Sequence, residues 1–106
     1  MAQLYWTKRA HTLTFASGAT THTEPPIDLN GAATVALLVP SEFNGDTLTL
    51  TSTDTHDVGF TLEAATGRNT LDSDQALAIV TMRNLRVTTN NATGGAATIT
   101  VVVAGG

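Results

Sequence analysis

The chain has 106 residues, a formal net charge of −4 and no cysteine, which suits one domain and excludes disulfides, thiolate metal sites and cysteine nucleophiles. Only five residues are basic, too few to neutralise the phosphates of a nucleic acid, so direct binding to DNA or RNA is not expected. The N-terminus lacks the layout of a signal peptide, and no apolar run approaches the roughly 18 residues of a membrane span. We therefore expect a soluble protein that is made in a cytoplasm and has no membrane partner.

Threonine is unusually frequent, with 21 of the 106 residues. A β-branched side chain that carries a hydroxyl suits the outer face of a strand and lowers helix propensity. The composition therefore favours β-sheet.

The first nine residues combine aromatic and basic side chains, with Tyr5 and Trp6 close to Lys8 and Arg9. Two interpretations stay open: a first strand packed on the sheet, or an arm that docks on a partner, since termini are ordered only where they are tied down. We divide the chain accordingly into an N-terminal arm or edge strand, residues 1–9, and a β-sandwich domain, residues 10–106.

Short strands and turns follow this segment. Residues 11–15 (HTLTF) alternate and predict a strand that ends at Ser17-Gly18. Glu24-Pro25-Pro26 favours an extended, unpaired connection because proline has no backbone donor. Asn30-Gly31 marks a turn, since both residues accept a positive φ.

The stretch from residue 34 to residue 53 predicts the centre of the fold. Residues 35–39 are apolar on both faces, which is typical of a strand covered on both sides, in a sheet interior or against a neighbouring molecule. Pro40 and a loop ending in Asn44-Gly45 lead to the strict Thr-Leu alternation of residues 47–51, which predicts a half-exposed strand.

The second half of the chain contains further strands and one ambiguous run. Residues 54–57 predict a polar turn that leads to a strand at residues 58–62. Residues 76–82 (ALAIVTM) fit either a strand or a short helix capped by Ser73 or Asp74, and their β-branched residues favour the strand. Residues 85–89 and 98–103 complete the pattern, which indicates an antiparallel sandwich or barrel of seven or eight short strands.

None of the polar residues forms a recognisable catalytic or metal-binding motif. The three histidines, His11, His22 and His56, lack the close spacing of a zinc site. The turn containing Asp54, His56 and Asp57 could in principle hold a cation, but it offers too few oxygen ligands for a dedicated calcium loop, and a solvated turn is the preferred interpretation. No serine lies in a nucleophile elbow. We expect no cofactor, no catalytic residue and no enzymatic activity.

Carbohydrate binding is one alternative function. Small β-sandwiches can stack sugars on exposed aromatic rings, and Phe15 and Phe60 are predicted to point inward. Tyr5 and Trp6 then remain as candidate stacking residues, and Phe43 as a possible loop anchor.

The chain also resembles the small β-sandwich structural proteins encoded among the virion genes of tailed bacteriophages. The resemblance covers roughly residues 27–103 and is carried mainly by strand and turn motifs. These motifs are the apolar strand from Val35 to Pro40, Phe43-Asn44-Gly45, the Thr-Leu alternation at 47–51, the Ser-Thr-Asp turn at 52–54 leading to Phe60 and Leu62, Asn84-Leu85-Arg86-Val87, and the strand at 98–103.

This resemblance implies a jelly-roll-like fold and a role as a capsid decoration or cement protein. The implied partners are the major capsid protein or other virion proteins and further copies of the chain, as a dimer or trimer, and the implied location is the virion. A tail, fibre or adaptor component is the alternative within the particle. Five residues are predicted to meet a partner: Tyr5, Trp6, Lys8, Arg9 and Phe43.

Overall fold

The computed structural model describes residues 8–29 and 34–104, which form eight strands and one α-helix. The fold is all-β, as the threonine content and the alternating patterns predict. The predicted turn at Asn30-Gly31 lies outside the described residues. The elements are β1 (Lys8–Phe15), β2 (Ile27–Asp28), β3 (Thr34–Val39), a 3₁₀ turn (Ser41–Phe43), β4 (Thr47–Thr51), β5 (Phe60–Glu63), β6 (Gly67–Thr70), α1 (Ser73–Thr81), β7 (Asn84–Thr89) and β8 (Ala97–Ala104).

The strands form two four-stranded sheets, with the order β1-β8-β3-β6 in the first sheet and β2-β7-β4-β5 in the second. All pairs are antiparallel, and they are nested: β1 pairs with β8, β2 with β7, β3 with β6, and β4 with β5. One long hairpin rolled into a sandwich produces this pattern, which is the topology of a jelly roll. The predicted antiparallel, jelly-roll-like sandwich is thereby confirmed.

The core lies between the sheets and follows the alternation of the strands. In β4, Leu48 and Leu50 are fully buried while the threonines between them are half-buried. β4 begins after the predicted turn, where Gly45 adopts a φ of 85°, a left-handed conformation that glycine accepts without strain. Burial of each large apolar side chain contributes about 1.5–3 kcal/mol, so the inner faces supply most of the stability.

β3 lies in the interior of the first sheet, between β8 and β6, as the apolar run predicts. Only its inner face is covered completely: Val35, Leu37 and Val39 are buried. On the outer face, Ala36 is half-buried and Leu38 retains 39% of its exposure. The prediction that both faces are covered is therefore correct for one face only.

Residues 76–82 do not form the strand that the sequence favoured, because α1 spans Ser73–Thr81. The helix cap is Asp72, not Ser73 or Asp74. The Asp72 carboxylate accepts the Gln75 backbone N–H at 2.8 Å, and the Gln75 side chain accepts the Asp72 N–H at 2.9 Å. This capping box satisfies two N–H groups, one at the cap and one in the first turn, and the buried Ile79 anchors the helix to the core.

We expect Asp72→Ala to lower the free energy of unfolding by about 1 kcal/mol, because it removes the cap acceptor. Urea denaturation followed by circular dichroism measures the change. Asp74→Ala is the matched control, since Asp74 lies in the same turn but does not cap the helix. Equal losses in the two variants would contradict the assignment of the cap.

Candidate interaction surfaces

The predicted N-terminal docking residues are placed only in part. Tyr5, Trp6 and the side chain of Lys8 lie outside the described residues, although Lys8 itself begins β1. The Arg9 guanidinium donates from Nη2 to the carbonyl oxygen of Leu29, at 3.1 Å. Because Leu29 directly follows β2, this bond connects the edge strands of the two sheets, and Arg9 has a role within the fold.

Phe43 is not the exposed loop anchor that the sequence predicts. Its side chain has no exposed area and packs edge-on against Phe15, with ring centroids 5.0 Å apart. The 3₁₀ turn at Ser41–Phe43 directs the ring inward from the loop between β3 and β4. A fully buried ring cannot contact a partner, so Phe43 is a core residue. Phe15 and Phe60 do face the core, as predicted.

An apolar surface that the sequence did not reveal lies where α1 meets the first sheet. A pocket of about 310 Å³ is lined there by Ala36 of β3, Val102 of β8 and Ala76 of α1, among other residues. Two further residues of α1, Leu77 and Val80, are 66% and 51% exposed. The sequence does not reveal this exposure, because the β-branched residues at 76–82 favour a strand over a helix. Arg68 and Thr70 also line the pocket, so the surface combines apolar area with polar groups.

His22 is a buried histidine with both ring nitrogens in use. Nδ1 lies 2.9 Å from the carbonyl oxygen of Glu24, and Nε2 accepts the backbone N–H of Val87 at 3.2 Å. The carbonyl requires a proton on Nδ1 and the N–H requires a lone pair on Nε2, so the ring is neutral. Burial lowers the pKa of His22, and the nearby Arg86 acts in the same direction.

Glu24 closes the end of the β1 edge. Its carboxylate accepts the backbone N–H of Thr14 at 2.7 Å, while the Thr14 carbonyl accepts the N–H of Thr23 at 3.0 Å. Partial burial of the Glu24 carboxyl would raise its pKa, but the hydrogen bonds from Thr14 outweigh it and the pKa is lowered. Both outward-facing backbone groups of Thr14 are thus satisfied within the chain.

The acidic turn at residues 54–57 forms hydrogen bonds that fix its own backbone and the start of β7. The Asp54 carboxylate accepts the backbone N–H of His56 at 2.9 Å, and Asp57 accepts the N–H of Arg83 at 2.8 Å. Hydrogen bonds from Ser52 and Arg83 lower the pKa of Asp57. Within residues 8–29 and 34–104, no group of three or more His, Asp or Glu side chains is arranged to hold a metal ion.

Comparisons with known proteins give a likeness at the level of the fold. No family model matches the chain, and no curated protein matches its sequence. Its structure is similar to the crystal structure of the SPBc2 prophage-derived protein YomS, with a TM-score of 0.66 over 99% of both chains and 8% sequence identity. The two proteins share a fold. In the part of the chain that the structure describes, no helix has the length and apolar character needed to cross a membrane.

We expect the stability of the protein to fall when the pH drops below 6.5, the ordinary pKa of histidine. The folded state holds the pKa of His22 below that value, so the unfolded chain binds the proton first. The stabilisation is complete above pH 6.5 and is lost as the pH falls towards the pKa in the folded state. Urea denaturation at a series of pH values measures this effect.

Two variants distinguish the contribution of His22 to this pH dependence from the contributions of the other titrating groups. His22→Gln should remove the decline just below pH 6.5, although it also lowers stability at every pH. His56→Gln is the control, because His56 lies exposed on the acidic turn, and it should keep the wild-type decline. A His22→Gln protein with the wild-type pH dependence would show that His22 is not responsible.

Proposed function

We propose that the protein is a non-enzymatic structural component of a phage particle, a decoration or cement protein that binds the major capsid protein on the capsid surface. The observation that carries this proposal is the likeness, over nearly the whole of both chains, to a prophage-derived jelly-roll protein. The likeness covers 99% of each chain, so it is more than a shared motif. In this proposal the protein is located in the virion.

The surface of the sandwich supports a role in protein contacts. Only 13% of the residues are charged, and threonine is the most frequent residue on the exposed faces of the strands. Leu38, Leu77 and Val80 add exposed apolar area on the first sheet and on α1. A surface of this kind gains stability when it is covered by a neighbouring protein, and a capsid lattice offers many identical neighbours.

The copy number in purified particles tests this proposal. We expect mass spectrometry to find the protein in numbers comparable to those of the major capsid protein, since a cement protein covers the lattice. Particles that lack the protein should lose their DNA at a lower temperature, and purified protein added back should restore the resistance. A few copies per particle would instead indicate the tail, fibre or adaptor alternative, and complete absence from particles would refute a virion role.

The N-terminal segment is the proposed contact with the capsid, with Trp6 as the aromatic anchor. Removal of residues 2–7 should abolish binding to capsids that lack the protein, measured by co-sedimentation. The deletion stops before Lys8 because β1 begins there and Arg9 bonds to Leu29. A loss of binding therefore reports on the arm and leaves the contact between the sheets intact.

A pair of point variants sharpens the test of the arm. Trp6→Ala should weaken binding by about 2 kcal/mol, the value typical of an interface hot spot. Gln3→Ala is the matched control within the same segment and should bind like the wild type. If the Trp6→Ala protein and the deletion both bind undiminished, the contact lies elsewhere on the sandwich.

A further inference from the structure

The first strand, β1, is the longest sheet edge in the described part of the chain. It spans eight residues at one edge of the first sheet, whereas β6 at the other edge spans four. In the second sheet the edge strands β2 and β5 span two and four residues. A long edge strand presents a row of backbone donors and acceptors to any strand that can pair with it.

The alternation of an antiparallel ladder decides which residues of β1 face outward. Successive residues direct their backbone N–H and C=O groups to opposite sides of the strand. Thr14 faces away from β8, because its N–H and C=O bond to Glu24 and Thr23. Lys8, Ala10 and Thr12 have the same parity as Thr14 and therefore also face outward. Arg9, His11, Leu13 and Phe15 direct their backbone groups to β8.

Among the described residues, the outward backbone groups of Ala10 and Thr12 have no hydrogen-bond partner. A groove of about 410 Å³ runs beside them, between β1 and residues 24–28. Pro25 and Pro26 line the far side of this groove, and neither has a backbone N–H to offer. Glu24 and Thr23 therefore satisfy the outward backbone groups of Thr14 but not those of Thr12.

We propose that two copies of the chain pair through their β1 edges, antiparallel and about a two-fold axis at Ala10. The two first sheets then form one continuous sheet of eight strands. Ala10 lies opposite its own counterpart, and Lys8 lies opposite Thr12 of the second copy. This register uses Lys8, Ala10 and Thr12, the outward-facing residues other than the bonded Thr14, and forms six backbone hydrogen bonds, two for each of three paired positions.

The next register in one direction is less favourable. A shift by two residues places Lys8 opposite Thr14 of the second copy, whose N–H and C=O are already bonded. Only two paired positions would remain, with four hydrogen bonds. The cap that Glu24 places on Thr14 therefore disfavours this shifted register relative to the one centred on Ala10, and it limits the length of the new ladder.

A second observation inside the sandwich fits the same register. Nε2 of His11 is buried and has no hydrogen-bond partner within the described residues. In the proposed dimer, Arg9 of the second copy lies opposite His11 on the inner face, at a position without backbone hydrogen bonds, where side chains approach most closely. A guanidinium carries five N–H donors, so the bond to Leu29 leaves others for His11 of the second copy.

A second copy therefore supplies both the backbone partner that the β1 edge lacks and a hydrogen-bond donor for His11. The dimer goes beyond the proposed function and should form without any phage particle.

Cysteine cross-linking tests the pairing cleanly, because the natural chain contains no cysteine. Opposed residues in a hydrogen-bonded pair have Cα atoms about 5.5 Å apart, within the range of about 4.4–6.8 Å that a disulfide spans. Ala10→Cys should therefore give a covalent dimer after mild oxidation, seen as a doubled mass on a non-reducing gel.

Thr12→Cys is the matched control, since residue 12 is exposed on the same face of the same strand. In the proposed register the two Thr12→Cys thiols lie about 13 Å apart along the strands and cannot join. The double variant Lys8→Cys with Thr12→Cys should regain cross-linking. If Ala10→Cys stays monomeric, or Thr12→Cys alone cross-links as fast, the proposed pairing is refuted.

Sedimentation of the unmodified protein gives an independent readout. We expect a dimer at micromolar concentration, and a monomer for Ala10→Pro, which removes the central donor on the outward edge without breaking a bond to β8. Circular dichroism checks that the Ala10→Pro protein is folded. A dimeric Ala10→Pro protein, or a wild-type protein that remains monomeric at high concentration, would also refute the pairing.

Discussion

The position of β8 between β1 and β3 is the constraint on which the rest of the sandwich depends. This strand is hydrogen-bonded on both sides, to residues at the beginning of the described chain and to the apolar strand in its middle. Its inward residues Ala97, Ile99, Val101 and Val103 are buried, so it also contributes a row of apolar side chains to the core. β1 and β3 cannot join in one sheet until β8 lies between them. The resulting contacts join residues far apart in sequence, and such folds form slowly compared with helical proteins of the same size.

Local patterns in the sequence predict most of this fold for an understandable reason. The period of two in residues 47–51 and 98–103 reflects burial on one face, and Asn44-Gly45 reflects the positive φ of Gly45. The strand predicted at residues 76–82 is wrong. Ile79 and Val80 favour a strand locally, but the capping box at Asp72 and the packing of Ile79 stabilise the helix. Asp72 and Gln75, three residues apart, carry the sequence signature of a capping box, and they place the cap one or two residues before the predicted Ser73 or Asp74.

The candidate contact residues were harder to predict, because exposure is decided by the whole fold. Phe43 stands in a loop with turn residues on both sides, and only the three-dimensional course of the chain shows that the loop directs its ring to Phe15. Arg9 similarly looks like a free surface cation, yet it bonds to a carbonyl 20 residues away in the chain. Leu77 and Val80 show the reverse effect: apolar residues taken for strand positions stand exposed on a helix. None of these outcomes can be read from the spacing of residues alone.

The pairing of Lys8 with Ala104 has a practical consequence for engineering. The beginning and the end of the sandwich are neighbours on adjacent strands, so a short linker between them would span only a few ångströms. An opening after the exposed Thr55 would give up the bonds within the turn at residues 54–57 but would keep the bond from the Arg83 N–H to Asp57. A permuted protein opened there would carry a fused cargo at the end of the second sheet where β4 is joined to β5.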